Sequence, residues 1–208
     1  MKKTDGQNVS RRDAIRDTGL LVGAALVAGA PVRAQNETPV NLNADELETL
    51  DAMCARIIPT DDNGPGAREA RAARFIDRGL GGAFASSLDQ YRTGLAGLER
   101  LARSTRGNGF AALPGPDQDA LLESLQDNAA GDFGTNAAQF FNMVRGHTIQ
   151  GTFSDPFYGG NANFVGWDMI GYPGVRTAVS AQYQQMDVDH PPNHQSVYDF
   201  AMFDEGEV

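Results

Sequence analysis

Apolar residues in this chain recur at three- and four-residue intervals, and nowhere do they alternate with polar ones over a convincing length. The first spacing puts a stripe on one face of a helix, whereas a half-buried strand needs period two. Leu47, Leu50, Cys54, Ile57 and Ile58 make the first stripe. It begins near Asn43, where Asn43-Ala44-Asp45-Glu46 has the layout of a capping box and Leu42 can staple against Leu47. Pro59 ends it, and Thr60–Gly66 is a solvated turn, since the Asp61-Asp62-Asn63 run lacks the spacing and terminal Glu of a calcium loop. Further stripes predict helices over Ala67–Arg78, Phe84 to about Thr105, Pro116–Gln126 and Ala137–Phe153. Gly94 and Gly97 weaken the third of these, and Val175–Met186 allows one short helix more. The expected fold is all-α: a single helical domain of five or six helices.

Arg145–Gly174 departs from this pattern and supplies one long structured loop rich in Gly and aromatic residues. It holds the only Trp, Trp167, with Tyr158, Tyr172, His147 and seven glycines. Asp155-Pro156 favours a turn, Gly159-Gly160-Asn161 tolerates positive φ, and Tyr172-Pro173-Gly174 fits a type II turn. Such a segment is either a rigid loop packed in its own core or a docking surface. Trp167, between Gly166 and Ile170, suits an inward-packing helix. Tyr158, Phe164, Tyr172 and Pro173 are the candidate partner-facing residues; His147, Trp167, Gly159, Gly160 and Gly174 are the candidate structural ones.

As catalytic machinery the chain offers little. His147 has no sequence-evident orienting partner, and Asp155 and Asp168 are well separated. No glycine pattern makes a dinucleotide or phosphate fingerprint. His190 and His194 flank Pro191-Pro192, which rules out a regular helical metal pair. The expectation is therefore no catalytic, cofactor-binding or metal residue in this chain.

The N-terminus reads as a targeting segment over residues 1–34. Ser10-Arg11-Arg12 followed by Ile15 resembles a twin-arginine export motif, with Ala14 standing where a bulky apolar residue is usual. Thr18–Ala30 is a Gly/Ala-rich apolar run of thirteen residues, too short to span a bilayer of about 30 Å. Val32-Arg33-Ala34 offers small residues for cleavage after Ala34. Residues 35–41 make a linker, 42–186 the helical domain, and 187–208 a C-terminal arm, extended or disordered. Of 17 basic and 27 acidic residues, the segment to Ala34 holds six and three, which leaves 11 against 24, a net of −13 with every basic residue an Arg. That charge argues against nucleic acid or an anionic membrane as partner. The single Cys54 excludes an internal disulfide and, on an apolar helix face, reads as a buried thiol rather than an intermolecular bridge.

HTIQGTFSDPFYGGN (His147–Asn161) and GWDMIGYPG (Gly166–Gly174), with IIPTDDNGPGAREARAARFID (Ile57–Asp77) upstream, closely resemble the signature of the gluconate 2-dehydrogenase subunit 3 family. The resemblance runs from about Leu42 to Gly174. It implies a cofactor-free small subunit that stabilises a large flavoprotein of the glucose–methanol–choline class and, as an export chaperone, carries it folded through the twin-arginine translocase to the periplasm. It further implies FAD in that large subunit, which oxidises a sugar, sugar acid or polyol, and haem c in a multihaem cytochrome subunit. The mature chain would reach the membrane only through the complex. The alternatives are a stand-alone exported binding or scaffold protein, and an independent enzyme using His147 with Asp155 or Asp168.

Overall fold

In the computed structural model the described residues are 38–203. The twin-arginine segment with Arg11 and Arg12 lies outside them, as do residues 35–37 of the linker and 204–208 of the arm. Among the described residues the protein is helical, with six α-helices, short 3-10 turns and no strand.

Helix α1 (Ala44–Ile57) starts where its sequence says it should. The Asn43 side chain accepts from the Glu46 amide at 2.9 Å, and the Glu46 carboxylate accepts from the Asn43 amide at 2.8 Å. Both orphan donors are thereby satisfied. Helix α2 is shorter than its apolar pattern predicts, Ala72–Gly79 rather than Ala67–Arg78. Arg71 stands before it at φ 57°, a left-handed residue that breaks the helical path. Residues 67–70 are instead turns, and Ala67 and Ala70 are buried without being helical. Periodicity reported their burial, not their backbone.

Helix α3 (Leu88–Arg106) follows a 3-10 turn at Ala85–Ser87, and α4 (Gly115–Gln126) has Pro116 in its first turn. Helix α5 (Ala137–Phe153) has the expected bounds and is capped by Asn136, which accepts from the Gln139 amide at 2.8 Å. It packs against α1, α2, α3, α4 and the short α6 (Val165–Met169), so it is the axis of the domain. The core around it includes Leu50, Met53, Ile76, Tyr91, Leu98 and Phe140.

Gly94 and Gly97, the weak points of α3 by propensity, are contact points. A Cβ on Gly94 would enter the Phe140 ring, and one on Gly97 would meet the Phe133 carbonyl oxygen. The helical cost of each glycine, about 1 kcal/mol relative to Ala, is offset by close packing of α3 with α5 and its lead-in.

Val175–Met186 does not form the sixth helix the sequence allowed; only a 3-10 turn at Ala181–Gln184 is present. Gly174 at φ 87° turns the chain away, and the arm leans back along the loop through the Asn193 amide, which donates to the Pro173 carbonyl. The sixth helix is α6, inside the structured loop.

Candidate functional site

The loop after α5 is built on α5's own last turn. Asn161, fully buried at φ 44°, donates its amide to the Gly151 carbonyl at 2.7 Å and its side-chain Nδ2 to the Ser154 carbonyl at 2.8 Å. Its Oδ1 accepts from the Gly166 amide at 2.7 Å, which fixes the start of α6. Gly160 and Gly166 sit so close to the carbonyls of Gly151 and Thr152 that neither position has room for a Cβ. Those glycines follow from close approach rather than from turn shape. Gly159, at φ 92°, does close the 3-10 turn Pro156–Tyr158.

Trp167 is 5% exposed and donates its indole Nε1–H to the Phe153 carbonyl at 2.9 Å. Phe164 (5.4 Å) and Tyr172 (4.9 Å) pack on it, the latter edge-on. Phe164 itself has φ 63°, and Asn163 before it 56°, two left-handed residues in sequence. For a bulky side chain such a backbone is a local strain of roughly 1–3 kcal/mol that the surroundings must hold. The ring is held from outside by His194, stacked on it at 5.0 Å and 13°, whose Nε2 lies 2.8 Å from Asp168 Oδ1.

Tyr158 and Tyr172 are both exposed, at 50% and 39%, but belong to different ring clusters. Tyr172 joins Trp167, while Tyr158 joins Phe157 and Tyr198. Phe157 is 55% exposed and stacks on Tyr198 at 3.8 Å; the two tyrosine hydroxyls are 3.0 Å apart. Pro173 is half-buried, and Gly174 is buried against the Asn193 side chain.

Sequence reasoning missed three members. Phe157 and Tyr198 were not singled out as surface rings. Asp155 was read as a turn residue and as a candidate acid–base partner of His147, not as a latch, yet its carboxylate accepts from the Phe157 amide (2.9 Å), the Ser196 hydroxyl (2.7 Å) and the Val197 amide (2.9 Å). The Ser196…Asp199 capping layout was a legible signal of order in the arm, and it is formed.

His147 lies apart from both clusters, under Phe84 at 3.9 Å and 9°. Tyr91 is buried, which pushes its phenol up, and its hydroxyl lies 2.9 Å from His147 Nδ1, the donor of that hydrogen bond being set by the imidazole tautomer. Neither Asp155 nor Asp168 is among its partners; they hold the arm instead. Burial lowers the His147 pKa below its ordinary 6.5. The unfolded chain therefore binds this proton more readily than the folded one. The stability it contributes is present above about pH 6.5 and is lost as pH falls through the lowered value. The urea midpoint is expected to drop between about pH 7.5 and about pH 5.5, by less in His147→Gln. Equal drops in both proteins would contradict this.

Cys54 is buried, its Sγ 3.2 Å from the Thr148 hydroxyl, and burial pushes the thiol up to about 12. Such a thiol is neither nucleophilic nor placed to bridge another chain. Between α1 and α3 a groove of about 480 Å³ is lined by Asp45, Glu46, Glu48 and Glu99. Glu99 is already engaged by the Thr49 hydroxyl, the Phe110 amide and Arg103. Among the described residues no group of three or more His, Cys, Asp or Glu is arranged to hold a metal ion, and no helix is long and apolar enough to cross a membrane.

These features define a small all-helical domain whose structured loop, clamped on its central helix, presents aromatic rings at the surface. Residues 44–174 match the family model for gluconate 2-dehydrogenase subunit 3, and the chain belongs to that family. The family is that of a small subunit in a dehydrogenase complex, and association with the complex's other subunits goes with membership. No curated protein and no solved structure matches the chain.

Proposed function

We propose that this chain is the non-catalytic small subunit of an exported flavoprotein dehydrogenase complex, stabilising the large subunit and carrying it through twin-arginine export. The observation that carries the reading is the family match over residues 44–174, which spans both motif blocks and the whole clamped loop. In this reading oxidation of a sugar, sugar acid or polyol takes place at FAD in the large subunit. Electrons then pass to haem c in a cytochrome subunit. A flavoprotein that acquires FAD in the cytoplasm crosses the membrane folded, and needs no signal of its own if a bound partner supplies one. Ser10-Arg11-Arg12 and Val32-Arg33-Ala34 support that division of labour. So does the net −13 beyond Ala34, which disfavours an anionic surface as the docking target.

Arg11→Lys combined with Arg12→Lys is expected to retain both this chain and the large subunit in the cytoplasm, with periplasmic dehydrogenase activity falling to background. The measurement is activity and immunodetection in separated fractions. Normal periplasmic activity in the double variant would sink the shared-export reading.

A further inference from the structure

The family match ends at residue 174, yet the aromatic surface is completed from beyond it. Five residues of the arm, His194–Val197 and Tyr198, cross both ring clusters. His194 covers Phe164, Ser196 and Val197 are latched by the Asp155 carboxylate, and Tyr198 stacks on Phe157. Latched in this way, Phe157, Tyr158 and Tyr198 are ordered but stay at least a third exposed, which is unusual for adjoining large rings with so many hydrogen-bonded supports.

Charge narrows what can cover them. From Ser154 to Phe203 the chain has five Asp and one Arg, with no Glu and no Lys, and Arg78 of α2, which lies against Gly159 beside these rings, offsets only part of that charge. A second copy docking through the same face would set these carboxylates against each other, and an anionic lipid surface would be repelled. The complement of an aromatic centre in an acidic field is an apolar patch with guanidinium groups around it. Arg pairs with carboxylates and stacks on aromatic faces, and it is enriched at interface centres.

We propose that Phe157, Tyr158 and the arm-borne Tyr198 form the docking face for an arginine-bearing surface of the large dehydrogenase subunit. This rests on the small-subunit reading above and adds the location and chemistry of the contact. The rings supply preorganised area, so little side-chain entropy is lost on association. The Asp155 latch positions Tyr198; it does not itself meet the partner.

The test titrates purified large subunit with the full chain or its Tyr198→Ala, Phe157→Ala and Asp155→Asn variants, by calorimetry at low and high salt. Expected is a loss of affinity of roughly 30-fold for Tyr198→Ala, the size of one interface anchor. Asp155→Asn should weaken binding in the same direction, because it frees the arm without removing a ring. Raising salt should weaken wild-type binding, and Asp89→Ala, exposed on α3, should leave it unchanged. Melting is measured alongside; Tyr198 sits on the arm, outside the helical core, so its variant reads binding even if Phe157→Ala unfolds. Binding of all three variants within about twofold of wild type, or wild-type binding indifferent to salt, would overturn the docking face while leaving the small-subunit reading intact. A dimer of this chain that Tyr198→Ala converts to monomer would overturn it in favour of a second copy. No binding of the wild-type chain to the large subunit would instead remove the small-subunit reading, and this inference with it.

Discussion

Trp167→Ala is expected to destabilise the isolated subunit by about 3–5 kcal/mol, the range for truncating a buried aromatic side chain. The indole is 5% exposed, touches Phe164 and Tyr172, and satisfies the Phe153 carbonyl at the end of α5. Its removal leaves a cavity and orphans that carbonyl together. For a domain of this size the melting temperature should fall by about 10 °C. Trp167→Phe should recover most of the loss, because it keeps area and forfeits one hydrogen bond worth about 1 kcal/mol. The strained Phe164 backbone is held partly by this ring, so the variant should also loosen the loop ahead of the core. Chemical denaturation and hydrogen exchange of residues 161–172 check both points. A loss below about 1 kcal/mol would show that the loop does not depend on its indole.

The second large effect is expected at Asp77. Asp77 is fully buried on α2, and its carboxylate accepts from the amides of Val40 (2.7 Å), Asn41 (3.0 Å) and Leu42 (2.8 Å). Asn41 Nδ2 donates back to the Asp77 carbonyl at 2.6 Å, while Arg74 and Arg92 donate to the Thr38 and Asn41 carbonyls. The chain is thereby tied down just before α1. Asp77→Ala is expected to cost about 3 kcal/mol, from roughly 1–2 kcal/mol for each amide that water reaches poorly. Asp77→Asn should cost less, since one oxygen still accepts. Limited proteolysis of the alanine variant should cut first within residues 38–42, ahead of global unfolding. Equal protease resistance in variant and wild type would refute the anchoring role.

The two sites were not equally legible. Trp167 could be assigned inward from its neighbours, because one indole between Gly166 and Ile170 has few ways to be covered except by its own domain. Asp77 could not. Nothing in the RFIDRG run separates a solvated helical Asp from one buried under three amides thirty-five or more residues away. The same holds for Asp155, whose local turn role is visible in Asp155-Pro156 and whose grip on Ser196 and Val197 is not. Short-range hydrogen bonds leave a spacing in the sequence. Long-range ones leave only a residue type.

What the sequence by itself determined is the helical class, the cap at Asn43, the bounds of α5 and the family. Each depends on contacts within a few residues or on a motif read in order. What only the tertiary structure decided is where helices touch and which rings stay outside. Gly94 counted against α3 until Phe140 was found lying on it. Ala67 and Ala70 looked helical until Arg71 was found left-handed. Tyr158 and Tyr172 looked like one surface until the arm was found to give Tyr158 a different neighbour, Tyr198. The reason is the same in each case: periodicity encodes that a side chain is buried or exposed, while its partner is set by close packing between segments that the chain order does not relate.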